Sequence, residues 1–536
     1  MQGFITNVEC GVPILSTPIG KRSMAPSLLP HQRLVYTLAK QGSLADAVLL
    51  WWSMGSGKTL GGLLCTAGMP PSSKVLVLCD KSLVGQWQSA VDRFVHTEYC
   101  GSKNITVKHY QTLTTEHLQP GRYDACLVDE SHRFRNAFGK GEGSGGGTTG
   151  RGPTELPMWI AAILKCKRLV YLTGTPIVSD ADVERRALER MLRVSAQNPL
   201  GGRVFFYSPQ DDAKTQRHFA STHTEVVKCP TSYAQVLKYF ANKQSAFELT
   251  LGKETYAVHR PVKNTYNSAL VTMSNNPFPS SPAESPKLVE MVRRLDQGFR
   301  NNEKQLVYSQ RLETGIQALR DHWLATHPET KKYVYFIDGS QPAELRTQAV
   351  TKFNRGGKEP VPRILFISDA AAQGVDLKEV DAVHLLEPGD RLQEERQVIN
   401  RAIRFKAHKN KEAQVKVHLY CTTFDPKRAP VGPLQATADD LGMFEKRSGS
   451  GFLTELKRAL DKRMAQEKLT IDEKTLINRE TIDCKVQAAL EALKAHAYRA
   501  SAPPAASAKK RVVAVLGVES GAPAPYPAKL LKLHVK

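Results

Sequence analysis

Residues 47–60 read AVLLWWSMGSGKTL. The first six are apolar without interruption, and a glycine-punctuated corner then leads to Lys58-Thr59 and a helix-forming stretch. A short continuous apolar run of this kind suits a strand buried on both faces, as in a parallel sheet. Further runs follow at KVLVLC (74–79), YDACLV (123–128) and RLVYLT (168–173), each ending in a polar or Gly-rich corner with helical patterns between. Strand, helix, strand in repetition predicts an α/β layer fold. The same grammar returns from Ser285: SPKLVEMVRRL reads as a helix, and QLVYS (305–309), KYVYFID (332–338), RILFIS (363–368), AVHLLE (382–387) and VKVHLYC (415–421) read as strands. A second parallel α/β domain is expected there.

The expected organisation runs in five parts. A first α/β domain spans 1–205, interrupted by the almost pure Gly/Ser/Thr stretch 139–152, which is expected to be mobile. A helical and loop insert with a hinge follows over 206–284, where strand grammar is weak and Pro277, Pro279 and Pro282 cluster. The second α/β domain covers 285–435, and a helical extension covers 436–500, with Thr470 and Glu473 spaced as a capping box. The Ala/Pro-rich tail 501–536, carrying Lys509, Lys510 and Arg511, reads as disordered.

Composition narrows the class. The chain has 536 residues, 41% hydrophobic and 24% charged, which is a globular balance. No apolar run is long enough for a membrane span, and the N-terminal residues lack a secretory pattern. The nine cysteines include no Cys-x-x-Cys pair and no zinc spacing, so a reducing compartment without a disulfide framework is expected. A formal net charge of +22 favours polyanionic partners, with phosphate backbones first.

The chemistry-bearing residues sit at strand ends. Gly55, Ser56 and Gly57 form a corner whose backbone N–H groups can turn inward on phosphates. Lys58 is placed to bridge β- and γ-phosphates, and the Thr59 hydroxyl to hold Mg²⁺. Trp52 stands where the complete phosphate-loop pattern has a glycine. About seventy residues on, LVDESH ends another strand. Asp129 would hold Mg²⁺ through water and Glu130 would orient the attacking water.

GSGKT, then Asp129-Glu130-Ser131-His132 of the DExH type, then Leu172-Thr173-Gly174-Thr175-Pro176, resemble motifs I, II and III of superfamily 2 helicases. Gln373-Gly374-Val375-Asp376-Leu377 resembles motif V. Gln397-Val398-Ile399-Asn400-Arg401-Ala402-Ile403-Arg404 resembles motif VI, with Asn400 in place of the usual glycine. Leu29-Pro30-His31-Gln32 resembles the adenine-recognition segment. Within the superfamily, SPKLVEMV, IDGSQ…FN (337–354) and HLLEPGDRLQEERQVINRAIR are similar to the Snf2-like group of large DNA viruses. That group includes the poxvirus nucleoside triphosphatase I and the early transcription factor small subunit.

The resemblance implies two tandem RecA-like domains that hydrolyse ATP with Mg²⁺. It implies that Gln32, Gly55, Ser56, Gly57, Lys58, Thr59, Asp376, Arg401 and Arg404 bind the nucleotide. Lys58, Glu130, Arg401 and Arg404 would be catalytic, the arginines acting as fingers from the second domain. Thr59 and Asp129 would hold the metal, and His132, Thr173, Thr175, Gln373 and Gln397 would couple the site to nucleic acid. Candidate nucleic-acid contacts lie near Lys81, Ser82, Gln86 and Trp87, near Tyr110, Gln111 and Thr112, and near Ser309, Gln310 and Arg311. Trp87 could stack on a base, but a Trp at this place on an amphipathic helix is more often core. The implied role is a DNA-dependent ATPase and translocase in viral transcription, with DNA or RNA as partner and a viral RNA polymerase or transcription factor beside it. It would work inside the host cell, in cytoplasm or nucleus, and in the virion. The alternatives are a strand-separating DNA or RNA helicase and a non-hydrolysing scaffold that recruits a polymerase or packaging partner.

Overall fold

The computed structural model describes residues 28–53, 55–110, 121–131, 165–178, 181–195, 200–208, 216, 218–241, 247–251, 254–258, 266–355, 361–368, 375–389, 392–404, 406–424, 434–440 and 450–498. The Gly-rich stretch 139–152 and the tail 501–536 lie outside them.

The first domain is built on six strands: β1 (Ala47–Trp52), β2 (Lys74–Cys79), β3 (Asn104–His109), β4 (Ala125–Asp129), β5 (Arg168–Thr173) and β6 (Val204–Tyr207). They lie in the order β3-β2-β4-β5-β1-β6, every pair parallel. The reason β1 is apolar throughout is now visible. Ala47, Leu49 and Trp51 enter one core with Val128, Tyr171 and Leu188, while Val48, Leu50 and Trp52 enter the opposite core with Leu63, Trp87 and Phe94. Helices α1 (Pro30–Lys40), α2 (Lys58–Leu64), α3 (Val84–Phe94) and α4 (Ala181–Met191) accompany the sheet.

The second half contains β7 (Ser221–Pro230), the antiparallel hairpin β8 (Phe247–Leu251) and β9 (Glu254–Val258), then β10 (Lys304–Ser309), β11 (Val334–Ile337), β12 (Arg363–Ser368), β13 (Ala382–Leu385) and β14 (Gln414–Thr423). A second parallel sheet runs β11-β12-β10-β13-β14-β7. Its helices are α5 (Tyr233–Ala241), α6 (Tyr266–Asn275), α7 (Pro286–Arg300), α8 (Ala318–Thr326), α9 (Ala343–Asn354) and α10 (Leu392–Ala402). On α7, Leu288, Met291, Leu295 and Gly298 recur every three or four residues on the buried face.

The stretch 206–284 departs from the insert expected there. Its strand β7 pairs with β14 over ten residues and completes the second sheet. As an edge strand with a largely exposed N-terminal half it carries Ser221, His223 and Glu225 in place of an apolar run. The rest of the stretch does gather into a helical unit. Residues of α5 and α6 share an apolar cluster with α11 (Leu434–Asp440), α12 (Ser450–Glu467) and Ile471, the first residue of α13 (Ile471–Ala495).

The C-terminal helices are present, and α12 and α13 are separated at Lys468, whose φ is 63°. The Thr470/Glu473 capping box closes the start of α13: the Glu473 N–H donates to Thr470 Oγ1 at 3.2 Å, and the Thr470 N–H donates to Glu473 Oε2 at 2.8 Å. Helix α13 is about 37 Å long at 1.5 Å per residue. One stripe runs down it at alternating four- and three-residue steps: Asp472, Leu476, Arg479, Asp483, Val486, Leu490 and Leu493. Its upper part meets the second domain, with Leu476 packed among Val398, Ile399 and Ala402, while Val486, Leu490 and Leu493 join the first domain's core beside Leu188 and Met191. Just beyond, Tyr498 forms a parallel bridge to Phe205 of β6 and stacks on its ring at 5.1 Å. No described helix is long and apolar enough to cross a membrane.

Candidate nucleotide site between the two domains

The phosphate-binding corner leaves β1 at Ser53 and enters α2 at Lys58. Gly55 and Gly57 adopt φ of 76° and 81°, the left-handed region in which a side chain is strained. The Ser56 hydroxyl donates to Ser53 O at 2.6 Å, closing the corner on itself. From behind, His31 Nε2 lies 3.0 Å from Ser56 O and Gln32 Nε2 donates to the same oxygen at 3.4 Å. Gln32 also accepts the Leu29 N–H at 3.1 Å, so in this structure it braces the corner. Trp52, the departure from the glycine pattern, is fully buried and packs against α2, where a Cβ on Gly61 would approach its ring to 2.2 Å. The indole thus occupies space that the small residue on α2 provides.

His31 had no role in the sequence reading beyond membership of the LPHQ segment. It is stacked on Tyr207 at 3.6 Å and stands edge-on to Trp52 at 4.5 Å. Burial lowers its pKa to about 4, opposed by the Ser56 carbonyl. The unfolded chain binds this proton near pH 6.5, the folded chain only near 4, so folded stability falls as pH drops through that window. Between pH 7 and pH 5, His31 should account for about 2 kcal/mol of the loss. Urea unfolding of wild type and His31→Gln at both pH values measures it; parallel pH dependences would refute the assignment.

Asp129 ends β4 as a buried carboxylate. Its Oδ2 accepts Trp87 Nε1–H at 2.8 Å and its Oδ1 accepts the Glu130 N–H at 3.0 Å. Burial, and then the charge of Glu130, raise its pKa to about 6, while Lys58 pulls it down. Trp87 is therefore core, as one of its two sequence readings had it, and in addition positions the acidic strand end. Tyr110 OH donates to Asp129 O from the other side. Glu130 holds a positive φ of 46°, a strained conformation for a residue with a side chain. Lys58 reaches toward the third motif, its Nζ 3.4 Å from where a Cβ on Gly174 would stand. There Thr173 is buried and its Oγ1 accepts the Thr175 N–H at 3.0 Å.

The second domain presents α10. Arg401 is buried and Arg404 half-buried, and both guanidinium pKa values are lowered by burial. Arg401 also experiences Arg404 as a like charge and Glu130, from the first domain, as an opposite one. Arg404 Nη1 donates to Asp376 Oδ1 at 3.3 Å. The Nε atoms of Arg401 and Arg404 are buried without a hydrogen-bond partner. Lys58, Asp129, Glu130 and Arg401 thus lie within electrostatic reach of one another, with Arg404 and Asp376 beside Arg401 and Thr59 next to Lys58 in α2. Gln397 lies on α10. His132 and Gln373 fall outside the described residues, as do Gln111 and Thr112. Of the nucleic-acid candidates, Lys81 and Gln86 are exposed, whereas Ser309 is buried and spends its hydroxyl on Glu387 at 2.9 Å.

Two family models match the chain. Residues 27–178 match the type III restriction enzyme res subunit, and residues 287–406 match the helicase conserved C-terminal domain. The pair occurs here in the order and positions of the two parallel-sheet domains. The chain thus carries one domain like each of these two models. No curated protein matches it. Among solved structures, this chain is similar to the SWI2/SNF2 ATPase core of Sulfolobus solfataricus in complex with dsDNA, at 15% identity, covering 74% of this chain and 89% of that one with a TM-score of 0.31. It is also similar to the Hef helicase domain of Pyrococcus furiosus, at 14% identity, covering 73% and 95% with a TM-score of 0.40.

Proposed function

We propose that this helicase-family chain is a nucleic-acid-stimulated ATPase that moves along DNA, using Lys58, Glu130, Arg401 and Arg404 on ATP. The observation that carries the reading is Arg401: a buried guanidinium from the second domain, its Nε unpartnered, set against Glu130 of the first. A γ-phosphate between them supplies the acceptor that this donor lacks. Lys58 holds the β- and γ-phosphates from the corner, and Glu130, freed of Arg401 by the phosphate, orients water for attack. Asp129 fits a Mg²⁺ held through water, because both its oxygens already accept a hydrogen bond and each retains a lone pair outward. When bound, Mg²⁺ neutralises charge on the phosphate oxygens.

Because the site is shared, the nucleotide favours domain closure and hydrolysis releases it. Nucleic acid spanning both domains would then be gripped and released in alternation. The net charge of +22 and the exposed Lys81 and Gln86 suit sequence-independent phosphate contacts. Residues 285–292, 337–354 and 384–404, in their likeness to the viral Snf2-like group, support a place in transcription of a large DNA virus, beside its RNA polymerase or a transcription factor.

The test is ATP hydrolysis titrated with single- and double-stranded DNA and RNA. Wild type should be stimulated by DNA, while Lys58→Ala and Glu130→Gln should stay at background and Glu130→Gln should still bind ATP. A wild-type rate at background with every polymer would end the proposal.

A further inference from the structure

Helix α13 touches both domains, and in the second it meets β14 and α6 through Asp472 and the arginine-bearing helix α10 through Arg479. Arg479 Nη1 donates to Glu395 Oε1, and both side chains are buried, at 6% and 2% exposure. The same Glu395 oxygen accepts the Gly389 N–H at 2.7 Å, which ties the loop before α10 to the pair. Four residues along, Asp483 accepts Arg396 Nη2 at 3.4 Å. Leu476 belongs to the same apolar cluster as Val398, Ile399 and Ala402. Below these contacts the stripe continues onto the first domain through Val486, Leu490 and Leu493.

We infer that α13 is the gauge that sets the arginine pair against the first domain, and that Arg479 is a positioning residue acting through Glu395. The inference rests on the nucleotide site proposed above. Glu395 and Arg401 lie on one unbroken helix, about 9 Å apart along its axis. A helix of that length moves as a rigid piece, so the ion pair at Glu395 fixes where the guanidinium groups arrive. Catalytic groups must be held to about 0.5 Å, and a displacement of about 1 Å lowers turnover on the order of 10²-fold. Helix α13 is bound to both domains at once and so can hold that tolerance. Arg479 itself lies outside the nucleotide-binding motifs, and its guanidinium is occupied by Glu395. Its effect reaches ATP only through the placement of α10.

The experiment compares full-length wild type with Arg479→Gln, Arg479→Lys, Leu490→Ala, Arg401→Ala and Lys58→Ala. Three quantities are read: kcat and KM for ATP with saturating DNA, the affinities for ADP and for ADP–aluminium fluoride, and the melting temperature. Arg479→Gln should lower kcat on the order of 10²-fold with KM within threefold. It should weaken ADP–aluminium fluoride and leave ADP binding within twofold. Arg479→Lys, which keeps the charge, should recover most of kcat. Leu490→Ala loosens α13 on the first domain without touching α10, and should lower kcat about tenfold with ADP affinity kept. If Arg479→Gln fails to fold, Leu490→Ala and Arg479→Lys decide the matter. Normal kcat in Arg479→Gln while Arg401→Ala is slow would overturn the inference and leave the nucleotide site standing. Losses of ADP and ADP–aluminium fluoride binding in equal measure would also overturn it, as general unfolding. A wild type no faster than Lys58→Ala would instead fail the ATPase reading itself.

Discussion

Arg401→Ala should lower DNA-stimulated ATP turnover by about 10³- to 10⁵-fold, the range a finger arginine contributes to phosphoryl transfer. The expectation follows from how this guanidinium is kept. It is 7% exposed, its Nε lacks a partner, and its opposite charges are Glu130 and Asp376. A buried donor left in that state is stabilised most when charge develops on the transferring phosphate. Arg401→Lys should recover little, since an ammonium cannot offer a planar fork. ATP binding, measured with a non-hydrolysable analogue, should change by far less than kcat. An Arg401→Ala rate within tenfold of wild type would remove Arg401 from the catalytic set and leave Arg404 as the candidate.

Lys287→Met should destabilise the folded chain by about 3–5 kcal/mol. Lys287 Nζ and Asp472 Oδ2 stand 2.6 Å apart at 0% and 1% side-chain exposure. Asp472 also accepts the Thr422 N–H at 2.9 Å and Ser274 Oγ–H at 2.8 Å, and Lys287 donates to Asn275 Oδ1 at 2.9 Å. Removing the cation strands a carboxylate that holds α6, β14 and the start of α13 together. Lys287→Met with Asp472→Asn removes both charges and should recover most of the loss, because the penalty lies in the unpaired ion. Urea unfolding of the two variants supplies the numbers. Equal destabilisation by the single and the double would show that packing around Lys287, not its charge, matters here.

The central strands were legible because a parallel strand covered on both faces has no polar face to show. Two of the edge strands carry no such run: β3 and β7 each pair on one side only, and their Asn104, Lys108, Ser221 and His223 interrupt the apolar pattern, whereas the edge strand β11 keeps its Val-Tyr-Phe-Ile run. The phosphate corner was legible because its backbone requires glycine at positive φ, which leaves a mark in the residue types. The brace behind it was not, since His31 acts on a carbonyl 25 positions away. Trp87 reads as core from its helix face, but its bond to Asp129 is not legible, since it joins residues 42 positions apart. Glu395 sits in LQEERQ, where any carboxylate passes for a solvated helix face, and nothing local marks it as buried. The capping box at Thr470 was legible because both partners lie within one turn.

The polypeptide passes from the first domain to the second between Tyr207 and Ser221, and returns through α13 to bridge Phe205 at Tyr498. Two bodies joined by a single tether can drift and tumble in any direction. Stitched at two separate points, they keep chiefly one easy motion, a swing about the line through the stitches. On the ATPase reading proposed above, closure over the nucleotide would follow that one path and repeat it at every turnover.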